Sequence, residues 1–223
     1  MKNIWITGAS RGIGYALVEL FLAEGHRVIV LTRNTQKLSD LAEEYTDQLT
    51  LIPTDITALK RSEYPNFSVD ILINNAGALV NKPFADISAE DLQRVYSTNV
   101  FGPIHLIQTL MPRFSNDAHI VNIGSVGGVT GSVKFPGLSA YSSSKGALSI
   151  LTECLQAEFG EESNWSFNCL ALGAVQTEML EEAFPGYRAP VTPSAIARYI
   201  YGFALNNHKV MRGRVVEVAL STP

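Results

Sequence analysis

Residues 7–14 read TGASRGIG, and they stand where the period of the sequence changes. Before them, Asn3–Thr7 (NIWIT) is short, apolar and β-branched; after them, residues 12–24 carry apolar side chains at helical spacing. The octapeptide is therefore a strand-to-helix turn. Gly8, Gly12 and Gly14 remove side chains where backbone must turn tightly, approach a pyrophosphate and pack helix on strand. The helix N-terminus then offers N–H groups and positive potential to an anion. A tight turn that merely uses glycine is the plainer reading, but the place in the first strand–turn–helix unit favours dinucleotide binding. Ser10, Arg11 and Ile13 share the loop.

Outward from this turn the alternation continues. Strands are expected at 27–32, 48–53, 71–73, 118–124, 165–171 and 214–219, and helices at 36–45, 89–111, 141–159 and 193–205. Runs such as VIVL (28–31) and ILI (71–73) are apolar on both faces, which suits a parallel sheet covered by helices on both sides. The expected fold is α/β, Rossmann-like and doubly wound, a seven-stranded parallel sheet with helices on both faces. It fills one domain over residues 1–223. Two segments resist regular assignment: 57–68, cut by Pro65, and 178–192, which holds Pro185, Gly186 and Pro190 and is long enough for a substrate lid.

Composition narrows the function classes. At 46% hydrophobic and 17% charged residues, the chain is a globular domain rather than a disordered or fibrous one. A net charge of −4 without a run of lysine or arginine argues against nucleic acid as a partner. The apolar stretch 4–6 is too short for a signal-peptide core and no segment approaches a membrane span, so a cytoplasmic protein without a membrane partner is expected. Cys154 and Cys169 lack metal-ligand spacing and are expected to be reduced, buried and structural, with no metal site.

Three residues separate Gly8 from Gly12, one pattern among several for dinucleotide loops, and T-G-x-x-x-G-x-G at this place resembles the short-chain dehydrogenase/reductase family of tyrosine-dependent oxidoreductases. The resemblance implies a nicotinamide cofactor, and the charge at the end of the second strand selects which one. Thr32-Arg33-Asn34 carries no carboxylate to accept from a ribose 2′-hydroxyl, while Arg11 lies in the glycine loop nearby. Two arginines converging on one spot favour the 2′-phosphate, hence NADP(H), with NAD(H) as the second option. Asp55, in TDIT (54–57) beside Ile56, resembles the aspartate that hydrogen-bonds the adenine. Asn75, Ala76 and Gly77, in NNAG, resemble the turn beside the adenosine ribose. Taken singly, Asp opens turns and Asn-Ala-Gly ends strands in many proteins.

YSSSK, residues 141–145, sets Tyr141 and Lys145 four apart, on one face of a helix. A phenol with a pKa of about 10 needs about 4 kcal/mol of preferential phenolate stabilisation to titrate near neutrality, and a nearby ammonium supplies much of that. The three serines between read as spacers and helix-start residues. Ser125 ends the fifth strand, where active sites of open α/β sheets collect, and Asn99 falls awkwardly midway along a long helix. Together Asn99, Ser125, Tyr141 and Lys145 resemble the catalytic tetrad of the family. The resemblance implies Tyr141 as general acid/base, Ser125 on the substrate oxygen, Lys145 on the nicotinamide ribose and Asn99 on a relay water. It also matches Val175 and Thr177, in LGAVQT (172–177), to the segment that holds the nicotinamide carboxamide, with Leu172 where the family has proline.

The implied activity is interconversion of a small-molecule carbonyl and alcohol; the competing class is an idle dinucleotide-binding sensor or scaffold. An intact tetrad favours the enzyme, since binding alone has no need of a tuned phenol. Met179, Leu180, Phe184 and Tyr187 in the lid suit either an apolar substrate or packing within the lid or a subunit contact. The resemblance implies a homodimer or homotetramer built in part from the helices at 89–111 and 141–159.

Overall fold

The computed structural model describes residues 1–59 and 64–220. Seven parallel strands form one sheet: β1 (Asn3–Thr7), β2 (Arg27–Thr32), β3 (Leu49–Pro53), β4 (Val69–Asn74), β5 (Phe114–Ser125), β6 (Ser166–Leu172) and β7 (Val215–Val218), in the order β3-β2-β1-β4-β5-β6-β7. The helices are α1 (Gly12–Ala23), α2 (Ser39–Glu44), α3 (Ala89–Tyr96), α4 (Gly102–Leu110), α5 (Ser139–Phe159), α6 (Glu178–Ala183) and α7 (Pro193–Asn206). The expected Rossmann-like, doubly wound architecture is therefore present.

Strand period explains why both faces need helices. Ile4 and Ile6 of β1, with Val28 and Val30 of β2, pack against Leu17 and Phe21 of α1 and Ile200 of α7. Trp5, Ile29 and Leu31, pointing the other way, join Leu106 and Leu110 of α4 and Phe159 of α5. Full burial of each such side chain stabilises by about 1.5–3 kcal/mol, so an uncovered face would be lost outright. The order reverses between β1 and β4, whose following segments lead to opposite sides of the sheet, and a crevice opens at their carboxyl ends.

Several elements differ from the sequence expectation. The helix expected at 89–111 is interrupted: α3 runs into a π-helical turn, Ser97–Phe101, before α4 begins. Pro103 lacks an N–H, and Gly102 is pressed against Ile56, where a Cβ would sit 2.9 Å from Ile56 Cδ1. The segment 36–45 opens with a 3₁₀ turn, Gln36–Leu38, and β5 begins at Phe114 rather than 118. In the lid, α6 forms because the Thr177 hydroxyl accepts the Leu180 N–H and Glu178 enters the first turn. Of the irregular stretch 57–68, residues 60–63 lie outside the described residues. Cys169 is buried as expected, but Cys154 is exposed, on the solvent side of α5. Among the described residues no helix is long and apolar enough to cross a membrane.

His119, fully buried on β5, donates from Nδ1 to the Ala204 carbonyl at 2.8 Å and accepts at Nε2 from the Asn168 amide at 3.0 Å. A carbonyl only accepts and an amide NH₂ only donates, so the ring is neutral. Burial lowers its pKa from 6.5 to about 4, against the pull of the Ala204 carbonyl. The unfolded chain therefore binds this proton first: the contribution is whole above the unfolded pKa of 6.5 and is lost as pH falls towards about 4. Its full size is about 3 kcal/mol. Urea unfolding is expected to show wild-type stability declining through this window and a shallower decline in His119→Gln, whatever its stability at neutral pH. Equal declines would remove His119 as the cause.

Candidate active site

The site starts from two interlocked turns. The Thr7 hydroxyl, ending β1, accepts the backbone N–H groups of Asn75 and Ala76 at 3.1 and 3.0 Å. Asn75 in turn donates from Nδ2 to the carbonyl oxygens of Thr7 and Gly8 at 3.0 and 2.9 Å. The turns meet so closely that a Cβ on Gly8, at φ +69°, would lie 2.6 Å from Ala76 Cα, and one on Gly14 would lie 2.5 Å from the Gly8 carbonyl oxygen. Arg11 precedes α1 in extended conformation with no side-chain cap, so first-turn N–H groups of α1 are left for a ligand.

A cavity of about 730 Å³ runs along the carboxyl ends of the strands from this loop. That volume suits a cofactor with a small substrate, since such sites occupy about 300–1,000 Å³. Gly8, Ser10, Arg11, Gly12, Ile13, Arg33, Asp55, Ile56, Asn75, Ala76, Gly77, Ser125, Tyr141, Lys145, Val175 and Thr177 line it. Gly14 and Asn99 are buried and do not line it; they support its wall.

At the β2 end the two arginines take separate carboxylates. Arg11 forms a bidentate pair with Glu182 of α6, and Arg33 lies 3.9 Å from Asp55. Asp55 Oδ1 also accepts the N–H and hydroxyl of Thr57 at 2.9 and 2.8 Å. Burial pushes the Asp55 carboxyl up, but the Thr57 hydrogen bonds and the Arg33 charge hold it below its ordinary value. The segment 178–192 is tied at its base by a bridge between Val175 and Val191.

At the other end, burial raises the Tyr141 phenol pKa, and the Ser125 side chain, the lesser influence, lowers it. Lys145 Nζ stands 5.9 Å from the centre of the Tyr141 ring and donates to the Ile123 carbonyl at 2.7 Å. Burial lowers the lysine pKa to about 8. The acidification of the phenol expected from the ammonium is thus not found in this structure, where burial dominates. Asn99 donates from Nδ2 to the Ala78 carbonyl and the Ser144 hydroxyl, both at 2.9 Å, and accepts the Ala78 N–H at 2.8 Å. Its amide is committed to protein groups, and the π-helical turn is what lets it face inward.

Sequence reasoning missed two groups of residues. Ser144, read as a spacer, donates to the Tyr141 carbonyl at 2.7 Å and so links Asn99 to the first turn of α5; Ser143 accepts from the Tyr96 hydroxyl at 2.9 Å. Glu178 and Glu182 reach the glycine loop across more than 160 residues of chain, and no local pattern signals that approach.

The sheet order, the glycine-turned loop at the switch point and the cavity define a Rossmann-like α/β enzyme architecture. The model of the short chain dehydrogenase family matches residues 2–188, and the chain belongs to that family of oxidoreductases. It is 31% identical over 225 residues to an uncharacterized oxidoreductase of Staphylococcus saprophyticus, covering 92% of this chain and 90% of that one. Among solved structures, a 4-hydroxyisoleucine dehydrogenase mutant complexed with NADH and succinate matches with TM-score 0.85 and 28% identity, over 98% of this chain and 97% of that one. A Shigella flexneri short chain dehydrogenase complexed with NADP matches with TM-score 0.84 and 26% identity, over 97% and 96%.

The interlock makes a direct prediction. Gly8→Ala imposes both a strained φ and a backbone clash, and is expected to destabilise the protein by about 2–4 kcal/mol, read as a lower thermal midpoint. Gly131→Ala, at φ +84° but with nothing within 4 Å of its Cβ, controls for backbone strain and is expected to cost less. Equal losses would show that the Gly8–Ala76 contact carries no special weight.

Proposed function

We propose that the protein is an NADP(H)-dependent oxidoreductase that interconverts a carbonyl and an alcohol, with Tyr141 as general acid/base. The observation that carries this reading is the placement of Tyr141, Ser125 and Lys145, with Lys145 Nζ 5.9 Å from the phenol ring, in the cavity that also holds the glycine loop. The NADH and NADP bound in the two solved relatives support a nicotinamide dinucleotide here.

The loop fits such a ligand. Uncapped N–H groups at α1 suit the pyrophosphate, and Gly12, at φ +58°, leaves no side chain between them and the cavity. Arg11 and Arg33 would take the 2′-phosphate, Asp55 and Ile56 the adenine, Asn75, Ala76 and Gly77 the adenosine ribose, Lys145 the nicotinamide ribose, and Val175 and Thr177 the carboxamide. When bound, the cofactor donates or accepts the hydride of the reaction. Tyr141 supplies the proton: burial keeps its phenol protonated at neutral pH, the form that donates to an oxygen gaining negative charge. Ser125 adds a second donor to that oxygen. Lys145 keeps a positive charge below about pH 8 and opposes the cost of forming a phenolate. Asn99 is tied through Ser144 to the Tyr141 carbonyl and would hold a water of the proton relay beside it.

The chain is read as one NAD(P)-binding domain over 1–223 with its lid at 178–192, acting on a small molecule in the cytoplasm. A homodimer or homotetramer packed through α3, α4 and α5 suits the exposure of Phe101, on the π-helical turn between α3 and α4, and of Ile150 on α5, 45% and 59%.

Tyr141→Phe is expected to bind NADPH as the wild type does and to reduce a carbonyl panel about 10²–10⁴-fold more slowly. Unchanged turnover would remove Tyr141 from the chemistry. With NADPH varied, kcat/KM reports the free enzyme and is expected to fall above about pH 8 as Lys145 loses its proton. Arg33→Ala is expected to weaken NADPH and spare NADH; equal losses for both would show that Arg33 does not read the phosphate.

A further inference from the structure

The lid reaches the glycine loop through carboxylates. Glu182 of α6 places both oxygens on the Arg11 guanidinium, one of them 3.1 Å from Nη2. Glu178, one turn earlier on the same face, brings Oε2 within 3.5 Å of where a Cβ on Gly12 would stand. The hydrogen bond that Arg11 donates to Glu182 is the foremost influence on Arg11, whose pKa it raises, and the charge of Glu178 adds to it. Acidic groups of the lid thus occupy the loop and the cation that the fold presents to an anion.

The remaining ties of the lid are uncharged. Gln176 donates its N–H to the Val191 carbonyl at 2.8 Å beside the Val175–Val191 bridge, and the Asn81 amide donates to the Ala183 carbonyl at 2.9 Å. The Arg11–Glu182 pair can therefore part while the lid keeps its base. Its side chains are 39% and 63% exposed, so water screens it and its net worth is small. A phosphate offers more charge and three acceptor oxygens to the same guanidinium, and wins the exchange.

We propose that Glu182 is a specificity residue: it holds Arg11 in place of a ribose phosphate, so the lid and the 2′-phosphate of the dinucleotide compete for one guanidinium. This rests on the NADP(H) reading above. Glu182 then mutes the preference for a phosphorylated ribose, and binding of that phosphate frees α6 from the glycine loop.

The test uses 2′,5′-ADP and 5′-AMP, which differ in the phosphate alone, titrated by calorimetry into the wild type, Glu182→Gln and Arg11→Gln. Glu182→Gln is expected to bind 2′,5′-ADP about three- to fivefold tighter with 5′-AMP nearly unchanged, the factor set by a solvent-exposed ion pair. Arg11→Gln is expected to lose the wild type's preference for 2′,5′-ADP. Amide hydrogen exchange in α6 should rise on adding 2′,5′-ADP to the wild type and be high from the start in Glu182→Gln. If the wild type prefers 2′,5′-ADP but Glu182→Gln binds it no better, or gains equally for both probes, the role of Glu182 is overturned and the NADP(H) reading stands. If the wild type binds both probes alike and Arg11→Gln changes neither, the NADP(H) reading itself is overturned.

Discussion

The contact between Gly8 and Ala76 sets the position of everything else in the site. Two turns, one after β1 and one after β4, meet backbone to backbone at the place where the strand order reverses. Thr7 and Asn75 fasten them through four hydrogen bonds between 2.9 and 3.1 Å. From one turn hangs α1 with its uncapped N-terminus; from the other the chain leads through Ala78 to Asn99 and so to α5. The glycine loop and the Tyr141–Lys145 pair, drawn from distant parts of the sequence, thus share one reference.

Burial at the reaction end works against charge. It raises the Tyr141 phenol and lowers Lys145 to about 8, pushing both groups towards neutrality. Such a pair is costly to keep, and the surrounding polar contacts offset the cost: the Ile123 carbonyl takes the ammonium, and a buried chain from Asn74 through Asn122 to Thr152 fixes α5 to β4 and β5. Lys145, lowered to about 8, stands near its titration point and responds strongly to an added charge.

The fold was legible because its signals are local. TGASRGIG marks a strand–turn–helix unit by composition alone, and the two-sided apolar strands call for helices on both faces. The cavity-lining residues from Gly8 to Thr177 were legible chiefly through their resemblance to the motifs of the short-chain dehydrogenase/reductase family. What escaped is what depends on side-chain reach across the fold. Nothing near Arg11 says that Glu182 will hold it, so two arginines read as converging on one spot are each found beside a carboxylate of their own. Asn99 drew notice as a misfit in a helix, yet only the π-helical turn and Ser144 show that its amide binds protein groups. The lid helix α6 was hidden because proline and glycine downstream masked the cap at Thr177.

The account's central claim is that this cavity joins a nicotinamide dinucleotide to a carbonyl compound whose oxygen meets Tyr141. Label transfer tests it most directly: NADPH carrying deuterium at the transferable position is incubated with the protein and carbonyl compounds, and the alcohols are analysed by mass spectrometry. The account predicts one deuterium on the carbinol carbon with the wild type and its near absence with Tyr141→Phe. Label that stays in the bound cofactor for every carbonyl compound, or transfer at the same rate without the Tyr141 hydroxyl, would contradict it.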